Sequence, residues 1–274
     1  MTALGLAVLG CSSPVELPVT APVAPAGEPS AGAGDAPAAP VADTPVAAAP
    51  VSPLPPSSVE GVPGWLGVRV VADESAGGLV LPGAGPIVVL SEAWSAVPPG
   101  VAIRRVDPTG VAPAPFLRSQ TARYGCDGGQ DVSVASFDGT SQDPLVWLLP
   151  PGVDATPVPL TVSDTPTART WDAGGQRFTL SLTGPDRAEL RAPDGQTVLH
   201  TTDLVTQRME GDEGSHLDLK ASFMVPQLDA AWRIGGVLLV AGRFDSYEGQ
   251  HYVVYTVGAA AVEHEVAYLY RCAF

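Results

Sequence analysis

Lysine is nearly missing from this chain: Lys220 is the only one, and there is no asparagine at all. Lys and Arg together number 14 against 29 Asp and Glu, a formal charge of −15. No basic cluster interrupts this excess. An acidic surface repels phosphate backbones, so nucleic acid is excluded as a partner and anionic lipid surfaces are disfavoured. The bland consequence of the charge is solubility.

Catalytic signatures are equally scarce. There is no G-x-S-x-G elbow of the kind that carries a hydrolase serine. No Walker loop or dinucleotide glycine pattern occurs, and Gly83-Ala84-Gly85 runs into Pro86 instead of opening a helix. The four histidines, His200, His216, His251 and His264, fall on separate expected strands without metal-ligand spacing. Two acidic, Gly-rich stretches, Asp127 to Asp131 and Glu210 to Gly214, offer carboxylates suited to calcium, but neither has EF-hand spacing and solvated turns look the same. The sequence therefore points to no catalytic residue, no metal ligand and no cofactor. No stretch sustains an amphipathic 3.6-residue period.

What the chain does have begins at its N-terminus. Ala3 to Gly10 is a short apolar run ending in small residues, the length of a signal-peptide core and far too short to cross a bilayer. Val8-Leu9-Gly10-Cys11 resembles the bacterial lipobox. No Lys or Arg precedes Cys11, so the amino terminus alone supplies positive charge. The resemblance implies that residues 1–10 are a signal peptide, that Cys11 receives a diacylglycerol, and that it becomes the first residue of the mature protein. Ser12, in place of Asp, implies transfer to an outer membrane.

From residue 11 to 61 the composition is Pro, Ala, Val, Gly, Ser and Thr, with prolines recurring from Pro14 to Pro56. Proline cannot donate to a helix or sheet ladder, and no aromatic residue is present to seed a core. The stretch reads as a disordered tether. It would reach roughly 150 Å if extended and about 40 Å as a coil. A long tether serves a chain fixed at one end and free at the other, which agrees with a lipid on Cys11. Five acids and no basic residue lie in it, so residues 62–274 keep an acidic excess of about ten.

The remainder reads as β. Strands are expected over 65–71, 79–81, 87–90, 101–106, 131–137 and 145–149. The passages 108–115 and 150–166 are rich in proline, and the second marks a candidate boundary. Phe178, Leu180 and Leu182 alternate with polar residues, as do Ala188, Leu190 and Ala192, and Pro193-Asp194-Gly195 turns the chain into 196–200. His216 to Phe223 alternates in the same way. Val237 to Val240 is apolar on both faces and should be a central strand. Gln250 to Val257 follows. The last strand, 262–272, would place Val262, His264, Val266, Tyr268, Tyr270 and Cys272 on one face. The expected fold is all-β: an antiparallel β-sandwich or partly open barrel, as one domain or as two β subdomains over 62–160 and 161–274.

With Cys11 committed to lipid, Cys126 and Cys272 remain. An even pair in an exported domain reads as a disulfide, the alternative being two buried free thiols. The stretch from Tyr124 to Phe274 resembles myxobacterial secreted proteins without known activity. The matching features are Gly125-Cys126, the Trp-containing strand from Val146 to Pro151, the strand-rich C-terminal half and the terminal cysteine. That resemblance also favours the Cys126–Cys272 pairing.

The functional expectation is a membrane-anchored envelope lipoprotein whose non-catalytic β-domain binds a partner or plays a structural role. A polysaccharide- or peptidoglycan-binding module would show an exposed aromatic strip on one sheet face. Trp171, Trp232, Tyr247, Tyr252 and Tyr255 are the candidates, with core packing as the plainer reading of the same rings. A hydrolase on a β scaffold would instead show a cleft where two carboxylates or a histidine cluster converge.

Overall fold

The computed structural model describes residues 54–72, 79–125, 129–184, 187–203, 225–246, 249–258 and 261–270. They belong to one compact unit spanning Ala49–Phe274. Among them there is no α-helix, only one 3-10 turn at Glu92–Trp94, and the rest of the regular structure is strand. Among the described residues no helix is long and apolar enough to cross a membrane.

The strands form three open sheets. The N-terminal sheet has eight strands: β1 (Trp65–Val71), β2 (Leu79–Val80), β3 (Ile87–Leu90), β4 (Arg104–Asp107), β5 (Gly110–Pro113), β6 (Phe116–Tyr124), β7 (Gln130–Phe137) and β8 (Leu145–Leu149). Their order is β5-β4-β8-β1-β3-β7-β6, antiparallel throughout, with β2 added in parallel to β1. The outer sheet is a meander of β10 (Leu160–Asp164), β11 (Ala168–Ala173), β12 (Gln176–Gly184), β13 (Arg187–Arg191) and β14 (Val198–Asp203). The middle sheet runs β18-β17-β16-β15-β9, from β9 (Ala155–Pro157), β15 (Gln227–Ile234), β16 (Val237–Asp245), β17 (Gly249–Val257) and β18 (Ala261–Tyr270).

The middle sheet earns its place from its sequence. Along β15, β16 and β17 both alternating sets are apolar. Trp232, Leu239, Ala241, Tyr252 and Val254 pack with Leu66, Val68, Val88 and Trp147 of the N-terminal sheet. Ala231, Leu238, Val240, Val253 and Tyr255 pack with Trp171, Phe178, Leu180, Ala188 and Leu190 of the outer sheet. A strand buried on both faces must be apolar at every position, which is what Val237 to Val240 encodes. Trp147 and Trp232 meet across the first interface with ring centroids 5.9 Å apart. The other face of the N-terminal sheet is covered by the chain between Ser91 and Ile103. There Trp94 sits among Trp65, Phe116 and Phe137 at 4.8, 5.0 and 4.8 Å.

The strand content changes hands at residues 150–154. Sequence before it builds the N-terminal sheet, and sequence after it builds the other two, while the core is shared across all three. Several details differ from expectation. The proline-rich passages hold short strands, β5 in the first and β9 and β10 in the second. The fold also begins earlier than residue 62. Val59 is buried and bridges to Val62, Ser57 and Ser58 accept hydrogen bonds from Gly64 and Leu66, and Trp65 Nε1 donates to Pro56 O. Residues 54–61, assigned to the tether on composition, are therefore part of the domain. The expected strand His216 to Phe223, the signal peptide, Cys11, most of the tether, residues 127–128 of the first candidate calcium loop and all of the second, 210–214, lie outside the described residues, while Gln130 and Asp131 open β7.

Candidate functional site

A bulge in β18 decides what its surface presents. Val253 pairs with Glu265 and Tyr252 with Ala267, so Val266 is the extra residue. The insertion shifts the alternation by one. Glu263 and Glu265 before it then share a face with Tyr268 and Tyr270 after it, opposite Tyr255, Val253, His251 and Gly249 of β17. The single face expected from strict alternation, Val262 to Cys272, is corrected by this register shift. Val266, Ala267 and Leu269 turn to the core shared with the N-terminal sheet.

On that face four rings stack across three strands of the middle sheet and onto the outer sheet. His200 of β14 lies 4.5 Å from Phe244 of β16. Phe244 is parallel to His251 of β17 at 4.6 Å, and His251 meets Tyr268 of β18 at 4.5 Å. Cross-strand pairing places the last three directly opposite one another. Each histidine faces a carboxylate: His200 Nδ1 is 3.4 Å from Glu263 Oε2, and His251 Nδ1 is 3.1 Å from Glu265 Oε2. The side chains grade outwards, from 16% exposed at His200 and 18% at His251 to 53% at Glu265. Tyr268 and Tyr270 are 41% and 42% exposed.

Behind Glu263 lies Tyr255, its partner across the strand pair. Burial, reinforced by the negative charge of Glu263, holds the Tyr255 hydroxyl well above its ordinary ionisation range. Tyr255 is thus a neutral hydroxyl at any physiological pH. The third described histidine, His264, points to the other face and pairs with Thr256 Oγ1 at 3.1 Å.

Gly249 explains how Tyr268 lies down. A side chain built at Gly249 would come within 2.6 Å of Tyr268 Cζ and would also strike the Leu269 carbonyl. Without one, the tyrosine ring packs over the Gly249 backbone. Beside this end of β18 opens a shallow recess of about 220 Å³ bordered by Glu92, Gln130, Asp131, Ser133 and Tyr268. A second recess of about 270 Å³, between β18 and the N-terminal sheet, is lined by Ser57, Trp65, Leu90, Ser91, Tyr252 and Val266 among others. Its one titratable group, the Tyr252 hydroxyl, already donates to Gln250 Oε1 at 2.6 Å.

The aromatic residues singled out from sequence are not the exposed ones. Trp171, Trp232, Tyr252 and Tyr255 are all buried in the two sheet interfaces, so they are core, and Tyr247 lies outside the described residues. Every tryptophan of the chain is buried. Among the described residues no three His, Cys, Asp or Glu side chains come together as a metal site. In the ladder, Phe244 separates His200 from His251 and keeps them from sharing an ion.

One further charged cluster sits where the three sheets meet. Asp229, at an irregularity in β15, is half-buried, with 18% of its side chain exposed, and accepts from Arg243 Nε at 3.1 Å. Burial raises its pKa above the ordinary value and outweighs the attraction of Arg243 and Arg169, while Asp143 pushes the same way. Asp143 is raised too, by burial and by the neighbouring Asp107 charge. Arg169 also pairs with Asp164 and Gln227 and lies over the Trp171 ring at 5.3 Å. These pairs tie β10, β11, β15 and β16 together.

No protein-family model, no curated protein and no solved structure matches this chain.

Proposed function

We propose that this chain is a lipid-anchored envelope protein, held in the outer membrane through Cys11, that extends a β-domain on a tether to bind a partner. The Val8-Leu9-Gly10-Cys11 sequence carries the anchor, and the proline-rich run behind it carries the tether. The observation that supports a binding role is the open acidic and aromatic face of β18, where the rings are held in place yet Tyr268 and Tyr270 remain uncovered. A structural envelope role needs no such surface. The carboxylates that converge elsewhere, Asp229 and Asp143, are half-buried in a cluster where Asp229 is engaged by Arg243, which favours binding over hydrolysis.

The domain is closed by a Cys126–Cys272 disulfide in this reading. Both cysteines lie outside the described residues, and their neighbours support the pairing. A side chain built at Gly125 would reach within 3.7 Å of the Tyr270 carbonyl, so the chain just before Cys126 runs beside the chain just before Cys272.

The test is partition of the full chain expressed in a Gram-negative host, with Triton X-114 and sucrose-gradient fractionation. Wild type should enter the detergent phase and the outer-membrane fraction, and Cys11→Ala should move to the aqueous phase. A Cys11→Ala chain that stays membrane-bound defeats the anchor.

A further inference from the structure

We propose that the Tyr268 end of β18 is the binding site itself, and that its ligand is a neutral polysaccharide. This rests on the binding reading above and gives that reading a ligand class. Tyr268 lies over Gly249, where any side chain would collide with it. His251 packs against it, with ring centroids 4.5 Å apart and planes tilted by 39°. One ring face is therefore turned to the protein and the other to solvent, with 41% of the residue exposed. A fixed flat ring of this kind presents an apolar, weakly negative surface that suits the C–H face of a pyranose.

Tyr270 follows on the same face two residues on, about 7 Å along the strand, which extends the platform in the direction a chain polymer would run. Hydrogen-bonding groups flank it. Glu265 spends one oxygen on His251, and a carboxylate has capacity for about four hydrogen bonds, so it can accept from sugar hydroxyls. The recess beside Tyr268 adds Gln130, Asp131 and Ser133.

Charge selects the class of glycan. Glu263, Glu265, Glu92 and Asp131 surround the platform in a chain of net charge −15, so a phosphorylated, sulfated or uronic acid polymer is repelled. A neutral chain meets hydroxyl acceptors and a stacking surface with no such penalty. A merely structural Tyr268, covering Gly249 to complete the sheet, would need neither the exposed second ring nor the polar recess.

The test uses the full chain in a detergent without a sugar headgroup. Binding to cellohexaose, chitohexaose, mannohexaose and laminarin is measured by calorimetry and affinity electrophoresis, with alginate and heparin as anionic comparisons. At least one neutral glycan should bind. Tyr268→Ala should weaken it at least about tenfold, while Tyr268→Phe stays within about twofold, because stacking needs the ring and not the hydroxyl. Glu265→Gln should weaken binding without changing the melting temperature. If Tyr268→Ala unfolds, Tyr270→Ala, at the other exposed ring of the platform, takes its place. Binding to none of the neutral glycans, binding to the anionic ones alone, or equal binding by the alanine variants overturns the proposal. Partition of Cys11→Ala is independent of this result, so a failed ligand and a failed anchor are told apart.

Discussion

Single residues in this protein do contrasting work according to what surrounds them. Asp229 and Glu265 are both carboxylates beside a basic side chain, yet the first is 18% exposed where the three sheets meet and the second is 53% exposed. Burial raises the pKa of Asp229 above its ordinary 3.8 despite Arg243. An acid raised in the folded state keeps its proton to higher pH there than in the unfolded chain. Its contribution to stability is therefore greatest at low pH and fades as pH rises through the raised value. Asp229→Asn removes that titration. The stability of the variant relative to wild type, from urea unfolding, should rise as pH goes from 4 to 7. A difference that is flat or falls over that range contradicts the burial argument. Sequence gave no sign of this residue, because Asp229 stands alone among Leu228, Ala230 and Ala231 and only the fold brings Arg243 and Arg169 to it.

At the scale of elements, many strands with one buried face or two were legible, but β11 and β15 were not, and irregular strands were not. Expected and observed bounds coincide at β1, β3 and β8, where apolar runs end on turn residues. Phe178 and Leu180 on β12 and Ala188 and Leu190 on β13 are buried as their alternation implies, and Asp194 caps the turn that follows by accepting from Gln196 and Thr197. β10 was hidden because it is an edge strand with four of its five residues exposed, so no hydrophobic pattern marks it. β6, with polar residues on its exposed side, was passed over for a similar reason. The bulge at Val266 was the costly omission. A one-residue insertion leaves no trace in composition, yet it moves Glu263 and Glu265 onto the face of Tyr268 and so creates the candidate site.

The segment that covers the N-terminal sheet is the element most open to test. Its 3-10 turn is capped by Ser91, whose side chain accepts from Ala93 N at 3.2 Å, and it delivers Trp94 into an aromatic cluster with Trp65, Phe116 and Phe137. Trp94→Ala empties the centre of that cluster and should cost about 3–5 kcal/mol in denaturant unfolding. A cost below about 1 kcal/mol would mean that the cover is not integral to the sheet.

For the whole molecule, the fold is layered, and the anchored N-terminus is the part proposed above. The domain carries about ten excess acids, and all five tryptophans are buried in its core. Sequence made the all-β layers visible because they depend on local composition and period. It left the site hidden because His200 meets Phe244 only after two sheets have packed, with β14 brought against the middle sheet. A Cys126–Cys272 bond would close most of the domain into one loop. Its reduction should lower stability by about 2–5 kcal/mol, with no change in the reduced behaviour of a Cys126→Ser, Cys272→Ser double variant. Equal unfolding midpoints with and without reductant would argue for free thiols.

The intact mass of the native protein tests the central claim most directly. The account expects a mature chain that starts at Cys11, carries the mass of a diacylglycerol and lacks the two thiol hydrogens of Cys126 and Cys272. An unmodified chain that starts at Met1 with three free thiols would contradict the anchor, the purpose of the tether and the exported compartment together.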